Sequence, residues 1–204
     1  MYGVRVATAA LLTIFGAQTA LAQARFYDWS GVYVGANAGY GSGSVTEIAS
    51  SATTSSTETI SGAVLGGHIG GNLQYQGLLL GAQLDGDWSN QRSSGGSINT
   101  KLTWLATARM RVGYAYDNIA YYVSGGAAYL PLTNSASSRT AWVAGIGQES
   151  ALNRNLILRF EVIYLQLLPK SETLVGINSA ATVEKMYDVI ARVGLSYKFN
   201  WLGN

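Results

Sequence analysis

The sequence predicts an all-β protein, an eight-stranded antiparallel up-and-down transmembrane β-barrel. Three observations carry that expectation. Beyond Trp29, apolar residues alternate with small or polar ones at a period of two over most of the chain. The connections between these segments are short and long by turns. Charged residues make up only 12% of the 204 residues and hydrophobic ones 48%, against roughly 25% charged in an ordinary soluble domain.

The first element is a leader rather than a strand. Met1 to Ala24 has the build of a secretory signal: Arg5 is the positive start, Val6 to Phe15 is mostly apolar, and Ala20-Leu21-Ala22 and Ala22-Gln23-Ala24 are both small-x-small cleavage sites. Cleavage after Ala22 or Ala24 leaves the barrel domain, residues 25–204. The leader's apolar run is shorter than the roughly 20 residues a helical span needs, and no later run is long enough. The mature chain is therefore either exported and soluble or a membrane barrel.

Eight strands follow, over 30–41, 60–75, 78–88, 99–114, 119–129, 140–152, 156–168 and 183–199. The connections are long at Ser42 to Thr59, short at Gln76-Gly77, long at Ser89 to Ile98 and short at Ala115 to Asn118. A longer Leu130 to Arg139, a short Asn153 to Asn155 and a long Pro169 to Thr182 complete the series. Short periplasmic turns opposite long outer loops are the plan of an outer-membrane meander, and an even strand count puts both termini on the periplasmic side. Ser42 to Thr59, rich in Ser, Thr and Ala, reads as a mobile solvated spacer. Pro131 and Pro169 fall at strand ends or in loops, where no ladder hydrogen bond is lost.

The two faces of the strands decide between soluble and membrane barrel. Leu102, Trp104, Ala106, Ala108, Met110, Val112 and Tyr114 form one wholly apolar face, and in the facing set only Leu105 is apolar beside Lys101, Thr103, Thr107, Arg109, Arg111 and Gly113. Elsewhere the second face is small: Gly31, Gly35, Asn37 and Gly39, or Gly62, Gly66, His68, Gly70 and Asn72. Such residues suit a narrow interior with bulky neighbours such as Tyr33, not a soluble surface that needs dispersed charge. The apolar face therefore meets lipid. Tyr40, Trp88, Trp104, Tyr129, Trp142 and Tyr187 fall toward the long-loop end and Tyr75, Tyr114, Tyr121, Tyr197 and Phe199 toward the short-turn end, as two aromatic girdles require. One strand fits poorly: the lipid register of Trp142, Ala144 and Ile146 continues into Gln148 and Ser150, which a bulge or an early strand end would repair.

Parity assigns the interior Asp85, Asp87, Glu149, Glu161 and Asp188 together with Lys101, Arg109, Arg111, Arg159, Arg192 and Lys198. Buried charges must be paired or hydrated, so a near-balanced set predicts a lumen ion-pair network centred on Asp85, Arg109, Arg111, Glu149, Arg159, Glu161 and Arg192. The competing reading of the same residues is a selectivity ring for small ions. Enzyme chemistry lacks its usual frames: no Cys, a single His, no G-x-S-x-G, no H-E-x-x-H and no P-loop. His68 falls in the lumen among glycines, where a hydrogen-bonded histidine is expected in place of a catalytic or heme-binding one. No cofactor or metal is implied. Thirteen Lys and Arg against 11 Asp and Glu, scattered along the chain, leave no nucleic-acid footprint.

Several stretches resemble a known family. Asp28-Trp29-Ser30-Gly31-Val32-Tyr33-Val34-Gly35, Thr107-Ala108-Arg109-Met110-Arg111-Val112-Gly113-Tyr114, Gly125-Gly126-Ala127-Ala128-Tyr129 and Arg192-Val193-Gly194-Leu195-Ser196-Tyr197-Lys198-Phe199 are similar to segments of the small alphaproteobacterial outer-membrane β-barrel proteins. That porin-like family is related in fold to the OmpA transmembrane domain and the opacity proteins. The resemblance implies a Gram-negative outer-membrane location and a role in envelope integrity, adhesion or immunogenicity, with hemin binding in some relatives. It also implies an assembly signal at Arg192, Gly194, Tyr197 and Phe199, read by the outer-membrane assembly machinery, although here the chain continues through Asn200 to Asn204. Expected partners are outer-membrane lipid, lipopolysaccharide phosphates met by Arg139 and Lys185, and a host or envelope surface ligand of the long loops. A filled structural barrel and a narrow porin-like channel for small ions or solutes both remain open at this stage.

Overall fold

The computed structural model describes residues 27–48, 55–93, 102–130, 139–168 and 182–199. The leader 1–24, Lys101, Pro131, Pro169 and residues 200–204 lie outside them, and so does the side chain of Lys185. The strands are β1 (Gly31–Ile48), β2 (Ser55–Tyr75), β3 (Leu78–Ser89), β4 (Arg92–Ser93), β5 (Trp104–Tyr116), β6 (Ile119–Leu130), β7 (Arg139–Ala151), β8 (Leu156–Leu167) and β9 (Thr182–Phe199). The two-residue β4 continues β3: it pairs with β2 in the same register, on the far side of Asn90 and Gln91. There the Asn90 amide donates to the Ala63 carbonyl at 3.1 Å, and the Ala63 amide donates to the Asn90 side-chain oxygen at 2.8 Å. Eight antiparallel staves result.

Each stave pairs with its neighbour in sequence, and pairing of β1 with both β2 and β9 closes the cylinder. Stepping between paired residues, Val32 leads through Gly71, Ala82, Met110, Gly125, Ala144, Tyr164 and Val189 back to β1 at Ser42, ten residues above the start. A climb of about 33 Å around a circumference of about 38 Å tilts the strands by about 40°. A barrel of that size has an interior that side chains alone can fill.

The turns follow local chemistry. Gln76 and Gly77 both take positive φ, 48° and 87°, as the tight two-residue hairpin between β2 and β3 demands. Asp117, at φ 55°, opens the equivalent turn between β5 and β6. Gly70 serves packing: a Cβ there would strike the Tyr33 ring and hydroxyl, which cross the lumen at that height.

Both aromatic girdles point outward. Tyr40, Trp88, Trp104, Tyr129, Trp142 and Tyr187 are exposed at the long-loop end, as are Tyr75, Tyr114, Tyr116, Tyr121, Tyr197 and Phe199 at the other. Trp142, Tyr164 and Tyr187 form a continuous ring row, with centroids 5.2 and 6.5 Å apart. Half-exposed apolar residues such as Leu73, Leu80, Leu84, Met110, Val123 and Ile146 fill the band between the girdles, the surface a lipid core requires.

The structure corrects several boundaries. The first two staves run on to Ile48 and from Ser55, so Ser42 to Ile48 and Ser55 to Thr59 are paired strand and not spacer. Backbone pairing, which polar Ser and Thr side chains do not impede, extends the ladder. The fourth stave starts at Trp104, not residue 99, after an isolated bridge at Leu102, and the turn that follows it is shortened by β5 reaching Tyr116. The strand holding Trp142 needs neither bulge nor early end: β7 keeps register with both neighbours through Ser150. Gln148 and Ser150 lie at the short-turn rim, and the Gln148 amide donates to the Ser150 hydroxyl at 3.4 Å.

Candidate functional site

Alternation carries one set of side chains from every stave into the lumen, and these form three layers. At the short-turn end Trp29, Leu79, Ala115, Ala120 and Ile157 make a small apolar cluster, with Tyr27 and Ala151 packed on it. At the long-loop end Ile60, Val64, Leu102, Leu105, Ala128, Leu130, Ala141, Val143, Ile163, Leu165, Leu167, Met186 and Ile190 make a larger one. Most of the buried charges occupy the layer between, with Asp188 and Arg139 toward the long-loop end and Lys198 at the opposite mouth.

Two linked groups make up the charged layer. In the first, Glu149 stands between two arginines: Arg111 Nη2 lies 2.5 Å from Glu149 Oε2, and Arg159 Nε donates to Oε1 at 2.8 Å. The Arg111 guanidinium also lies over the Tyr122 ring, 3.9 Å from its centroid, and Arg111 donates to the Tyr33 hydroxyl at 3.0 Å. In the second group two arginines serve three carboxylates. Arg109 pairs with Asp85 at 3.0 Å and Glu161 at 2.7 Å, and Arg192 pairs with Asp85 at 2.6 Å, Asp87 at 3.0 Å and Glu161 at 2.7 Å. Neutral donors complete the carboxylates: Thr107 and Gln83 donate to Asp85 at 2.9 and 2.8 Å, and Tyr122 donates to Glu161 at 3.0 Å. Four carboxylates thus face four guanidiniums, all with side chains at most 2% exposed.

All seven residues of the sequence-derived network, Asp85, Arg109, Arg111, Glu149, Arg159, Glu161 and Arg192, lie buried in this layer, with Asp87. Asp188 lies apart, toward the long-loop end, where Gln91 Nε2 donates to it at 2.8 Å. Lys198 sits at the opposite mouth, and its ammonium donates to the Asp28 carbonyl. His68 faces the lumen with Nε2 2.8 Å from the Ser196 hydroxyl. Of the proposed assembly residues, Tyr197 and Phe199 point outward, half exposed and in edge contact at 5.1 Å, while Arg192 points inward and Gly194 pairs with Asn37 and Arg159.

Sequence reasoning placed Tyr33 and Thr107 on the inner face but missed the other neutral members and the apolar caps. Gln83, Gln91, Thr107, Tyr33 and Tyr122 share the parity of the inward charges, and so do Ile163, Leu165 and Leu167 beyond Glu161. The parity signal was sufficient for both. Leu105, which interrupts the polar face of its strand, belongs to the outer cap.

The mouth at the short-turn end is closed by the residues before β1. Trp29 is fully buried, its amide donating to Gln74 Oε1 at 2.8 Å and its indole to the Asp117 carbonyl at 3.4 Å. Tyr27 packs edge-on to it at 4.8 Å and donates to the Arg154 carbonyl at 3.2 Å. Burial, helped by the Glu149 and Asp28 carboxylates, pushes the Tyr27 phenol above its ordinary range, so it remains a donor.

A closed eight-stave cylinder with a lipid-type apolar belt, two aromatic girdles and a charged interior is an integral membrane β-barrel of the outer-membrane class. The model of the outer-membrane protein β-barrel domain matches residues 7–199, and the chain belongs to that family and to the outer membrane. It is 32% identical over 205 residues to the 31 kDa outer-membrane immunogenic protein of Brucella melitensis, with 85% of each chain covered. Identity to the 25 kDa outer-membrane immunogenic protein of Brucella canis is 30% over 182 residues, 85% of this chain and 80% of the relative. The fold matches that of the outer membrane protein AlkL with a TM-score of 0.53 at 12% identity, over 92% of this chain and 98% of that one.

Proposed function

We propose that this barrel is a non-enzymatic structural and surface-interacting component of the envelope, with a lumen filled by side chains. One observation carries the reading: the paired charges at mid-lumen lie between two apolar caps, so a hydrated ion crossing the barrel would have to part ion pairs and enter apolar layers on both sides. His68, the single histidine, is engaged with Ser196 inside the lumen and not on the lipid face. The relatives' designation as immunogenic supports exposure of the long loops at the cell surface. In this reading the leader is removed on export and the terminal Arg192, Gly194, Tyr197 and Phe199 address the assembly machinery. Lys185 meets lipopolysaccharide phosphates at the outer rim, whereas Arg139, expected to share that role, is buried on the inward side of β7; the loops carry any specificity for a host or envelope ligand.

Planar-bilayer recording of the refolded protein tests the proposal. Silence is expected. Reproducible conductance steps whose ion selectivity changes on substituting Asp85 or Arg109 would replace it with the narrow-channel reading.

A further inference from the structure

At the short-turn end, outside the barrel mouth, a cleft of about 540 Å³ opens between the segment before β1, the end of β2 and its turn, and the end of β5 and its turn. Its lining includes two carboxylates, Asp28 and Asp117, and no basic side chain. Asp28 Oδ1 accepts from the Ser30 amide at 2.9 Å, which leaves its second oxygen open, and Asp117 has no side-chain partner among the described residues. Lys198 is turned to the Asp28 backbone carbonyl and does not line the cleft. Gln76 adds an amide that both donates and accepts.

The location narrows what such a cleft meets. Two of its walls, Tyr114 and Tyr116, are residues of the short-turn girdle, 59% and 76% exposed on the lipid side. Girdle tyrosines sit at the level of lipid headgroups. The cleft therefore opens sideways into the headgroup layer of the periplasmic leaflet as well as toward water. Two carboxylates at that depth, of which only Asp28 has a lysine ammonium nearby and outside the cleft lining, select a cation with N–H donors, since charge-assisted hydrogen bonds to carboxylate are roughly twice as strong as neutral ones.

We propose that this cleft is a binding site for one phospholipid headgroup carrying a primary ammonium, held by Asp28 and Asp117 with the phosphodiester toward the Gln76 amide. A quaternary ammonium of the same charge has no N–H to donate and is the built-in control. Conservative variants keep the fold intact. Asp28→Asn retains the oxygen that accepts from Ser30, and Asp117→Asn places at φ 55° a residue that tolerates left-handed backbone well.

The experiment is native mass spectrometry of the folded chain released from detergent, with phosphatidylethanolamine and phosphatidylcholine of identical acyl chains in equimolar competition. The wild type should retain one phosphatidylethanolamine with a preference of about fivefold or more, and each single variant should lose most of it. Equal retention of both lipids by the wild type, or a preference surviving in the double variant, would overturn the site. Displacement of the bound lipid by millimolar free ethanolamine or a lysine amide as readily as by the lipid itself would overturn the lipid assignment and leave a soluble-amine site.

Discussion

Glu149 and Glu161 look equivalent in the sequence, both inward glutamates on neighbouring staves, yet the structure makes their loss unequal. Among the described residues Glu149 is the sole carboxylate bound by Arg111 and Arg159, at 2.5 to 3.0 Å. Replacing it with Gln leaves two buried guanidiniums facing one another without a counter-charge. Removing one partner of a buried pair costs about 3–5 kcal/mol, and here both arginines lose theirs, so the upper half of that range applies. Glu161 is one of three carboxylates around Arg109 and Arg192; without it Arg109 keeps Asp85, and Arg192 keeps Asp85 and Asp87. Glu161→Gln loses charge assistance but leaves every guanidinium paired, a cost of about 2–3 kcal/mol. Urea unfolding of protein folded in lipid vesicles, with heat-modified gel migration as a second readout, measures both. Combining Glu149→Gln with Arg111→Met should recover part of the loss, because one surplus charge goes with its partner. The same ordering should hold at about 1 M salt, where the screening length is about 3 Å but ions cannot reach the lumen. If Glu161→Gln proves the costlier change, or if both cost less than about 1 kcal/mol, the dry paired lumen is refuted and a hydrated one takes its place.

Gly70→Ala should destabilise the barrel by about 1–3 kcal/mol through overlap with Tyr33, and Tyr33→Leu in the same chain should relieve most of it, read by the same urea titration. Trp29→Ala removes a fully buried side chain and two of the contacts closing the periplasmic mouth; a loss of about 3–5 kcal/mol is expected, whereas a change below about 1 kcal/mol would mean the segment before β1 is not part of the folded unit. Phe199→Ala, at a half-exposed position, should leave urea stability nearly unchanged while slowing insertion catalysed by purified assembly machinery relative to spontaneous insertion. Equal slowing of both routes would remove Phe199 from the assembly signal.

Strand count, meander order and the facing of each side chain were legible because one physical constraint governs them. In a closed barrel a side chain points to lipid or to lumen, and the period of two repeats that choice along each stave. Trp142 to Ser150 illustrates where the reasoning failed. Polar residues on the lipid side looked like a broken register, but the lipid belt is only about 25 Å tall and the tilted stave leaves it before Gln148. Height along the tilted axis, which the sequence does not carry strand by strand, decides whether an outward position needs to be apolar. The same ignorance of height hid the long β1–β2 pairing, since beyond the belt alternation relaxes and Ser and Thr hydrogen-bond in a ladder as readily as in a loop.

The site was legible as a set and not as a pattern of partners. Parity delivers Asp85, Glu149 and Glu161 to one interior, but which arginine reaches which carboxylate follows from the ten-residue stagger. That stagger brings β8 and β9 residues to the height of β3 and β5: Glu161, paired in register with Arg192, also meets Arg109 across the lumen. Long guanidinium side chains complete the contact, and glycines such as Gly70 clear the path for Tyr33. The apolar caps follow from the same geometry. Near the outer mouth the lumen must exclude the water that would otherwise hydrate and separate the ion pairs, so Ile163, Leu165 and Leu167 continue the inward parity of Glu161 in apolar form. A strand whose inward face changes from charged to apolar toward its outer end is therefore a sequence signal for a sealed lumen. A conducting barrel of the same stave number would have to keep that face polar to the rim.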